Sequence, residues 1–367
     1  MIVMNSRLEK LISWLKDQQI DAAFISSPDN VFYLTRFRCE PHERLLGLVV
    51  FQEKEPLLIC PGMEVDDARN AGWDKEILGY SDSDNPWNLA EERIQSRIPK
   101  VQSWAVEKDH LNLSRYEELS NRFEHAHFIS ADNILNELRL LKDEQEIELI
   151  KRACELVDFA VEVGANELAE GKTELDIIAA IEYEIKKKGA GMSFDPLVLT
   201  GANAASPHGI PGLTKIERGQ LVLMDLGVVY NGYCSDITRT LAFGEISDRQ
   251  KEIYETVLKA EEAAVKLTRP GEKAKELDQT ARNIIRDAGF GEYFTHRLGH
   301  GLGISVHEFP SMTETNEMEL EPGMVFTIEP GIYIPGVAGV RIEDDVLVTE
   351  DGVEVLTQYP KTLQIIE

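Results

Sequence analysis

The stretch HRLGHGLGISVHE, residues 296–308, holds three of the chain's eight histidines and a glutamate. His296 and His300 stand four apart, the spacing that puts two zinc ligands on one helical face. Gly299, Gly301 and Gly303 argue against a helix here, since each costs about 1 kcal/mol there relative to alanine. The residue after the first histidine is Arg297, where a zinc protease helix carries its catalytic glutamate. His300 is therefore expected as a metal ligand on an extended or loop segment.

Carboxylates elsewhere supply the remaining chemistry. LVLMDLGVVYNGYCSDITRTLAFG alternates apolar residues on both sides of Asn231-Gly232, the preferred dipeptide of a type I′ hairpin turn. With that turn, Asp225 lies opposite Thr238, and Asp236 is its diagonal neighbour on the same face, about 7–8 Å away by backbone. FTIEP ends a strand-like run at Glu329, before a Pro-Gly turn. GVRIEDDVLVTEDG predicts a strand placing Arg341, Glu343 and Asp345 on one face, with a hairpin turn at Asp351-Gly352. Four carboxylates and one imidazole form an oxygen-rich donor set suited to Mn²⁺ first, with Co²⁺, Fe²⁺ or Zn²⁺ as alternatives. Two ions about 3.5–4 Å apart, sharing bridging carboxylates, balance the negative charge that a single ion would not.

The elements that position these residues are spread along 367 residues, a length that favours two domains. A helix is expected over residues 6–19, capped by Ser6. Short apolar runs at 22–26, 45–51, 55–61 and 103–107 then alternate with helical patterns such as PWNLAEERIQSRI, as in an α/β domain. Near Asn133 the texture changes, so the domains are placed at 1–132 and 133–367. Two amphipathic helices follow, EQEIELIKRACELVDFAVEVGANEL and TELDIIAAIEYEIKKKGA, the second ending at Gly189; from Ser193 onward strands dominate. No internal repeat is legible.

A net charge of −27 repels phosphate backbones and anionic lipid surfaces, so neither nucleic acid nor membrane is expected as a partner. The start has no basic segment leading into an apolar one, and a cytoplasmic protein is expected. Cys39, Cys60, Cys154 and Cys234 are widely spaced and expected as buried free thiols.

The segments SFDPLVLTGANAASPHGIPG, LVLMDLG, YCSDITRT, HRLGHGLGISVHEFP, FTIEPGIYIPG and GVRIEDD resemble the pita-bread metallopeptidases, the superfamily of methionine aminopeptidase, aminopeptidase P and prolidase. Within it the resemblance is strongest to bacterial prolidases, and SPDNVFYLTRF and EPHERL extend it into the first half. It implies an α/β creatinase/prolidase-like N-terminal domain and an α+β pita-bread catalytic domain. It also implies two divalent ions bound by Asp225, Asp236, His300, Glu329 and Glu343, with Asp236 and Glu343 bridging. The implied reaction is hydrolysis of Xaa-Pro dipeptides by a hydroxide bridging the ions, with release of proline and with Glu329 relaying the proton.

His307 is placed by the resemblance at the scissile group and His208 at the proline end. Arg341, Arg297 and His296 are candidates for the substrate carboxylate, Arg341 alternatively orienting Glu343, and Phe194 is expected to line the pocket. In short bacterial prolidases the loop matching CEPHERL reaches the partner's active site, which implies a homodimer and implicates Glu40, His42 and Arg44; Glu40 stands where aspartate is expected. The rival readings are an aminopeptidase P acting on longer Xaa-Pro peptides, a non-peptidase relative of the fold, and a non-catalytic binding domain. Five intact ligands argue against metal-free or non-catalytic versions.

Overall fold

The computed structural model describes residues 2–206 and 209–367, with side chains from Ser6 onward. It forms two compact units that divide between Arg139 and Leu140. The division falls beyond the boundary expected near Asn133 because the Asp132–Leu140 helix lies, up to Arg139, within the first unit. Asp132 accepts from the Lys108 and Asp109 amides at 3.0 and 3.3 Å, and Arg139 donates to Asn30 at 2.8 Å.

The first unit holds a six-stranded sheet of β1 (Ala22–Ile25), β2 (Gly47–Phe51), β3 (Leu57–Pro61), β4 (Glu76–Tyr80), β5 (Ser103–Val106) and β6 (His127–Ser130). Its order is β4-β3-β2-β1-β5-β6, mixed in sense, and all four expected apolar runs lie in it. The opening helix runs from Ile2 to Asp17, so Ser6 sits inside it and does not cap it. Asn85 caps the Pro86–Arg97 helix by accepting from the amides of Trp87 and Asn88. All four cysteines are buried and free.

In the second unit the strands are β7 (Gly191–Met192), β8 (Leu197–Thr200), β9 (Gln220–Leu226), β10 (Val228–Tyr230), β11 (Tyr233–Cys234), β12 (Ile237–Phe243), β13 (Gly299–Gly301), β14 (Glu308–Met312), β15 (Val325–Ile328), β16 (Gly331–Ile334), β17 (Ala338–Arg341), β18 (Asp344–Thr349), β19 (Gly352–Val355) and β20 (Ile365–Ile366). Both expected helices form. Glu144–Glu167 starts on an Asp143/Glu146 capping box, and Glu174–Lys187 starts on a Thr173/Asp176 box and gives way to Gly189 at positive φ. The apolar faces of this pair cover β9 and β12 through Val157, Val161, Ile177, Ile181, Met224 and Leu241.

A second helix pair, Asp248–Leu267 and Ala274–Asp287, covers the sheet β14-β13-β15-β18-β19 through a separate core around Val257, Leu277, Phe326 and Val346. The two pairs repeat one architecture about the same local bonds. Gly171 N–H donates to Ile216 O and Ile216 N–H to Lys172 O at 3.0 and 2.8 Å, while Gly271 N–H donates to Leu320 O and Leu320 N–H to Glu272 O, both at 2.8 Å. The two cores share identities at scattered positions such as Val157/Val257, Ala160/Ala260 and Ile185/Ile285, too sparse to stand out as a repeat in the sequence.

The hairpin forms as expected. Asn231 and Gly232 have φ of 48° and 90°, and Thr238 pairs with Asp225. The β18–β19 turn falls one residue earlier than expected, at Glu350-Asp351, since Thr349 pairs with Gly352.

His300 lies on strand β13, between β14 and β15, and its flanking glycines are explained by close backbone approach. A Cβ on Gly299 would sit 1.9 Å from Thr327 O, and one on Gly301 2.3 Å from Phe309 O. Gly299→Ala is therefore expected to destabilise the protein by about 3 kcal/mol. A urea denaturation midpoint should fall with an unchanged slope, and a midpoint like that of the wild type would contradict the close approach.

Candidate metal centre

One strand end, one short strand and three strand breaks of the second unit deliver the titratable groups. Asp225 stands next to the end of β9, and Asp236 follows β11 just before β12 begins. Asp236 is outside a regular strand, and its amide donates to Asp345 Oδ2 at 2.9 Å. Glu329 follows β15, with its amide held by Leu298 O at 2.8 Å. Glu343 does not lie on a strand as expected. It sits in the gap between β17 and β18, which belong to different sheets, and its amide donates to Thr238 O at 3.1 Å.

These groups converge. Asp236, His300 and Glu343 are all buried and offer ligand atoms within 4.8 Å of one another. His300 Nε2 lies 3.3 Å from Glu329 Oε1 and 3.8 Å from Asp236 Oδ2. His300 Nδ1 faces Gly301 O at 3.2 Å, a contact that requires the proton on Nδ1 and leaves the Nε2 lone pair toward the carboxylates. Asp225 is turned to Arg341, whose Nη2 donates to its Oδ2.

Electrostatics tell the same story. Burial, then repulsion from Glu343, Asp225 and Asp345, pushes Asp236 well above the usual carboxylate range. Burial, Glu329 and Asp225 do the same to Glu343, and burial raises Glu329 to about 7. Burial raises Asp225 against the pull of Arg341. Burial and the neighbouring His307 hold His300 down at about 3, as a neutral imidazole. Asp236 Oδ1 is fully buried and has no hydrogen-bond partner. Crowded carboxylates, an orphaned carboxylate oxygen and an imidazole lone pair directed among them are what a divalent cation satisfies, so the residues fit the expected metal site.

The other expected residues are distributed around this cluster. His307 stacks edge-on against His300, ring centres 4.1 Å apart. Arg341 is committed: beyond Asp225, Nε donates to Thr238 Oγ1 at 2.9 Å and Nη1 to Tyr333 Oη at 2.6 Å. Its hydrogen bonds reach Glu343 through Thr238, whose hydroxyl donates to Glu343 Oε2 at 2.6 Å. His296 Nε2 lies 3.1 Å from Tyr333 Oη, and Arg297 donates to Ser311 Oγ at 3.1 Å. Phe194 is half-buried against Gly227, just beyond Asp225's strand. His208 lies outside the described residues.

In the first unit Glu40 and His42 are exposed, and Arg44 forms a two-pronged pair with Asp82 at 2.8 and 3.2 Å. Sequence reasoning missed Thr238, Tyr333 and Asp345 as supports of the site. The expected pairing of Thr238 with Asp225 was the available signal for the first.

Comparison with known proteins agrees with this geometry. The family model described as Metallopeptidase family M24 matches residues 148–350, and the Creatinase/Prolidase N-terminal domain model matches residues 7–141. The chain is 55% identical to the Bacillus subtilis (strain 168) protein named "Putative dipeptidase YkvY", over 98% of this chain and 100% of that one. It is similar to the crystal structure of the prolidase from Pyrococcus horikoshii OT3, at 38% identity and a TM-score of 0.91, covering 98% of this chain and 99% of that one. It is also similar to the X-Pro aminopeptidase from Thermotoga maritima MSB8, at 34% identity and a TM-score of 0.88, covering 98% and 100%. From the cluster, the two helix-backed halves around it and these matches along nearly the whole length, the chain belongs to metallopeptidase family M24, in its two-domain pita-bread form with a creatinase/prolidase N-terminal domain.

Proposed function

We propose that this protein is a dinuclear metal-dependent Xaa-Pro dipeptidase that releases free proline. The observation that carries the reading is the buried convergence of Asp236, His300 and Glu343, with Glu329 against His300. Asp236 and Glu343 would be the shared ligands of two divalent ions, with Asp225 holding one ion and His300 with Glu329 the other. Mn²⁺ suits this oxygen-rich set best, with Co²⁺, Fe²⁺ and Zn²⁺ as alternatives. When bound, the ions supply a nucleophile at neutral pH and polarise the scissile carbonyl.

The chain's own residues do the rest. Glu329, beside His300 in the cluster, would accept the nucleophile's proton and return it to the leaving proline nitrogen. His307 faces the scissile group from its place against His300. Arg341 holds Asp225 and, through Thr238, Glu343, so the substrate carboxylate falls to Arg297 and His296. A Xaa-Pro bond offers no N–H, so recognition of proline rests on shape, with Phe194 as a wall and His208 at the ring end. The protein works as a homodimer in which the loop bearing Glu40, His42 and Arg44 serves the partner's centre.

The similarity to an X-Pro aminopeptidase keeps a second reading in view, release of the first residue from longer Xaa-Pro peptides. Rates on Xaa-Pro, Xaa-Pro-Xaa and Xaa-Ala peptides with Mn²⁺ or Co²⁺ separate the two. The dipeptide Xaa-Pro is expected to be cleaved fastest and Xaa-Ala slowly. A tripeptide cleaved as fast as Xaa-Pro would overturn the dipeptidase reading.

A further inference from the structure

Glu343 occupies the gap between β17 and β18, where no strand ladder takes up its backbone groups. Two bonds from β12 take up these backbone groups, and a third holds the side chain. Glu343 N–H donates to Thr238 O at 3.1 Å, Thr238 Oγ1 donates to Glu343 Oε2 at 2.6 Å, and Arg239 Nη1 donates to the Glu343 carbonyl at 2.5 Å. Arg239 is 1% exposed, and its remaining donors are all engaged with this neighbourhood. Nη1 also donates to Thr238 O at 3.0 Å, Nη2 to Asp344 Oδ1 at 2.6 Å, and Nε and Nη2 to Tyr359 O at 3.0 and 2.8 Å.

The network continues through the C-terminal segment. Lys361 Nζ donates to Asp344 Oδ2 at 2.6 Å and to Glu261 Oε1, on the Asp248–Leu267 helix, at 2.9 Å. Thr357 Oγ1 donates to Asp344 Oδ1 at 2.8 Å. One planar guanidinium thus ties together the backbone of Glu343, the carboxylate of the next residue and the chain at Tyr359. A lysine ammonium, a point donor without the fork, cannot hold all three directions.

We infer that Arg239 is a positioning residue for Glu343 and that, through Asp344 and Lys361, the C-terminal segment is part of the metal centre's support. The inference rests on the proposed role of Glu343 as shared ligand. Arg239 touches neither substrate nor metal. Its effect is to fix the φ/ψ of a residue in a strand break, so that the carboxylate enters the cluster already oriented.

The test uses the full-length, metal-stripped protein titrated with Mn²⁺ by calorimetry, and the visible absorption of the Co²⁺-loaded form. Arg239→Gln is expected to weaken Mn²⁺ binding by about 10- to 100-fold, as loss of outer support does elsewhere, and to change the Co²⁺ spectrum. Arg239→Lys should fall between it and the wild type, with kcat reduced and KM little moved. A purely structural role predicts a lower melting temperature with wild-type Mn²⁺ affinity and Co²⁺ spectrum in the folded protein, and that result would overturn the inference. Should Arg239→Gln not fold, Asp344→Asn decides by the same measurement, with weaker binding expected and wild-type affinity overturning the claim. Glu343→Gln separates the two layers. If it binds Mn²⁺ like the wild type, the ligand assignment itself fails. If it loses a site while the Arg239 variants bind normally, only the present inference fails.

Discussion

Glu343→Gln and Asp236→Asn are each expected to lower kcat/KM on Xaa-Pro substrates by about three orders of magnitude or more, because a neutral amide cannot hold two cations together. The loss follows from what the ions provide: water whose pKa drops from about 15.7 toward 7, and which is scarcely ionised at neutral pH without them. Both variants keep nearly the volume of the native side chains, and both remove a charge whose burial is costly in the metal-free fold. They should therefore fold at least as stably as the metal-stripped wild type while failing in catalysis. Steady-state kinetics beside thermal melts checks this, and a variant that keeps more than a tenth of wild-type activity would contradict the bridging roles.

The second large effect concerns stability and pH in the metal-stripped protein. Glu329 is raised to about 7, and Asp236 and Glu343 are likewise raised well above the usual carboxylate range, chiefly by burial. A carboxyl whose folded pKa exceeds its unfolded value contributes stability that is complete below the unfolded value, about 4.5 for glutamate, and is lost as pH rises through the folded one. His300, held down at about 3, acts oppositely, but only below the ordinary histidine value of about 6.5. Above pH 6.5 the carboxylates alone remain. Stripped protein should thus lose melting temperature between about pH 6.5 and 8, as Glu329 and its neighbours ionise without cations.

Metal-loaded protein should not share that loss, since binding takes the deprotonated ligands and releases their protons. Glu261, also raised to about 8 by burial and Asp344, titrates in both forms and cancels in the difference between them. The gap in melting temperature between loaded and stripped protein is expected to widen over this window, by scanning calorimetry at fixed ionic strength. A gap independent of pH would show that the cluster does not hold protons in place of metal.

Much of this site was legible before any coordinates. The hairpin followed from Asn231-Gly232 and simple alternation, which fixed Asp225 opposite Thr238. The glycines around His300 excluded a helix, and the fold explains why they are glycines, with Thr327 O and Phe309 O where side chains would be. Several features were hidden. Glu343 looked like a strand residue because period-two alternation continues through a break at which the chain changes sheets. Arg341 was expected at the substrate carboxylate or, alternatively, orienting its sequence neighbour Glu343, yet its guanidinium reaches across to Asp225, a long-range contact that no local pattern encodes. The boundary moved because the Asp132–Leu140 helix belongs by its hydrogen bonds to the chain before it. The supports Arg239, Tyr333 and Asp345 carry no motif of their own, and Thr238 is marked in the sequence only by its pairing with Asp225; the packing shows what they hold.

The central claim, two ions held by these five side chains, is tested most directly by anomalous diffraction at the manganese edge from crystals of the full chain equilibrated with Mn²⁺. Two peaks about 3.5–4 Å apart are predicted, with Asp236 and Glu343 between them, Asp225 on one and His300 with Glu329 on the other. A single peak, or two peaks with Asp236 and Glu343 bound to only one of them, would contradict it.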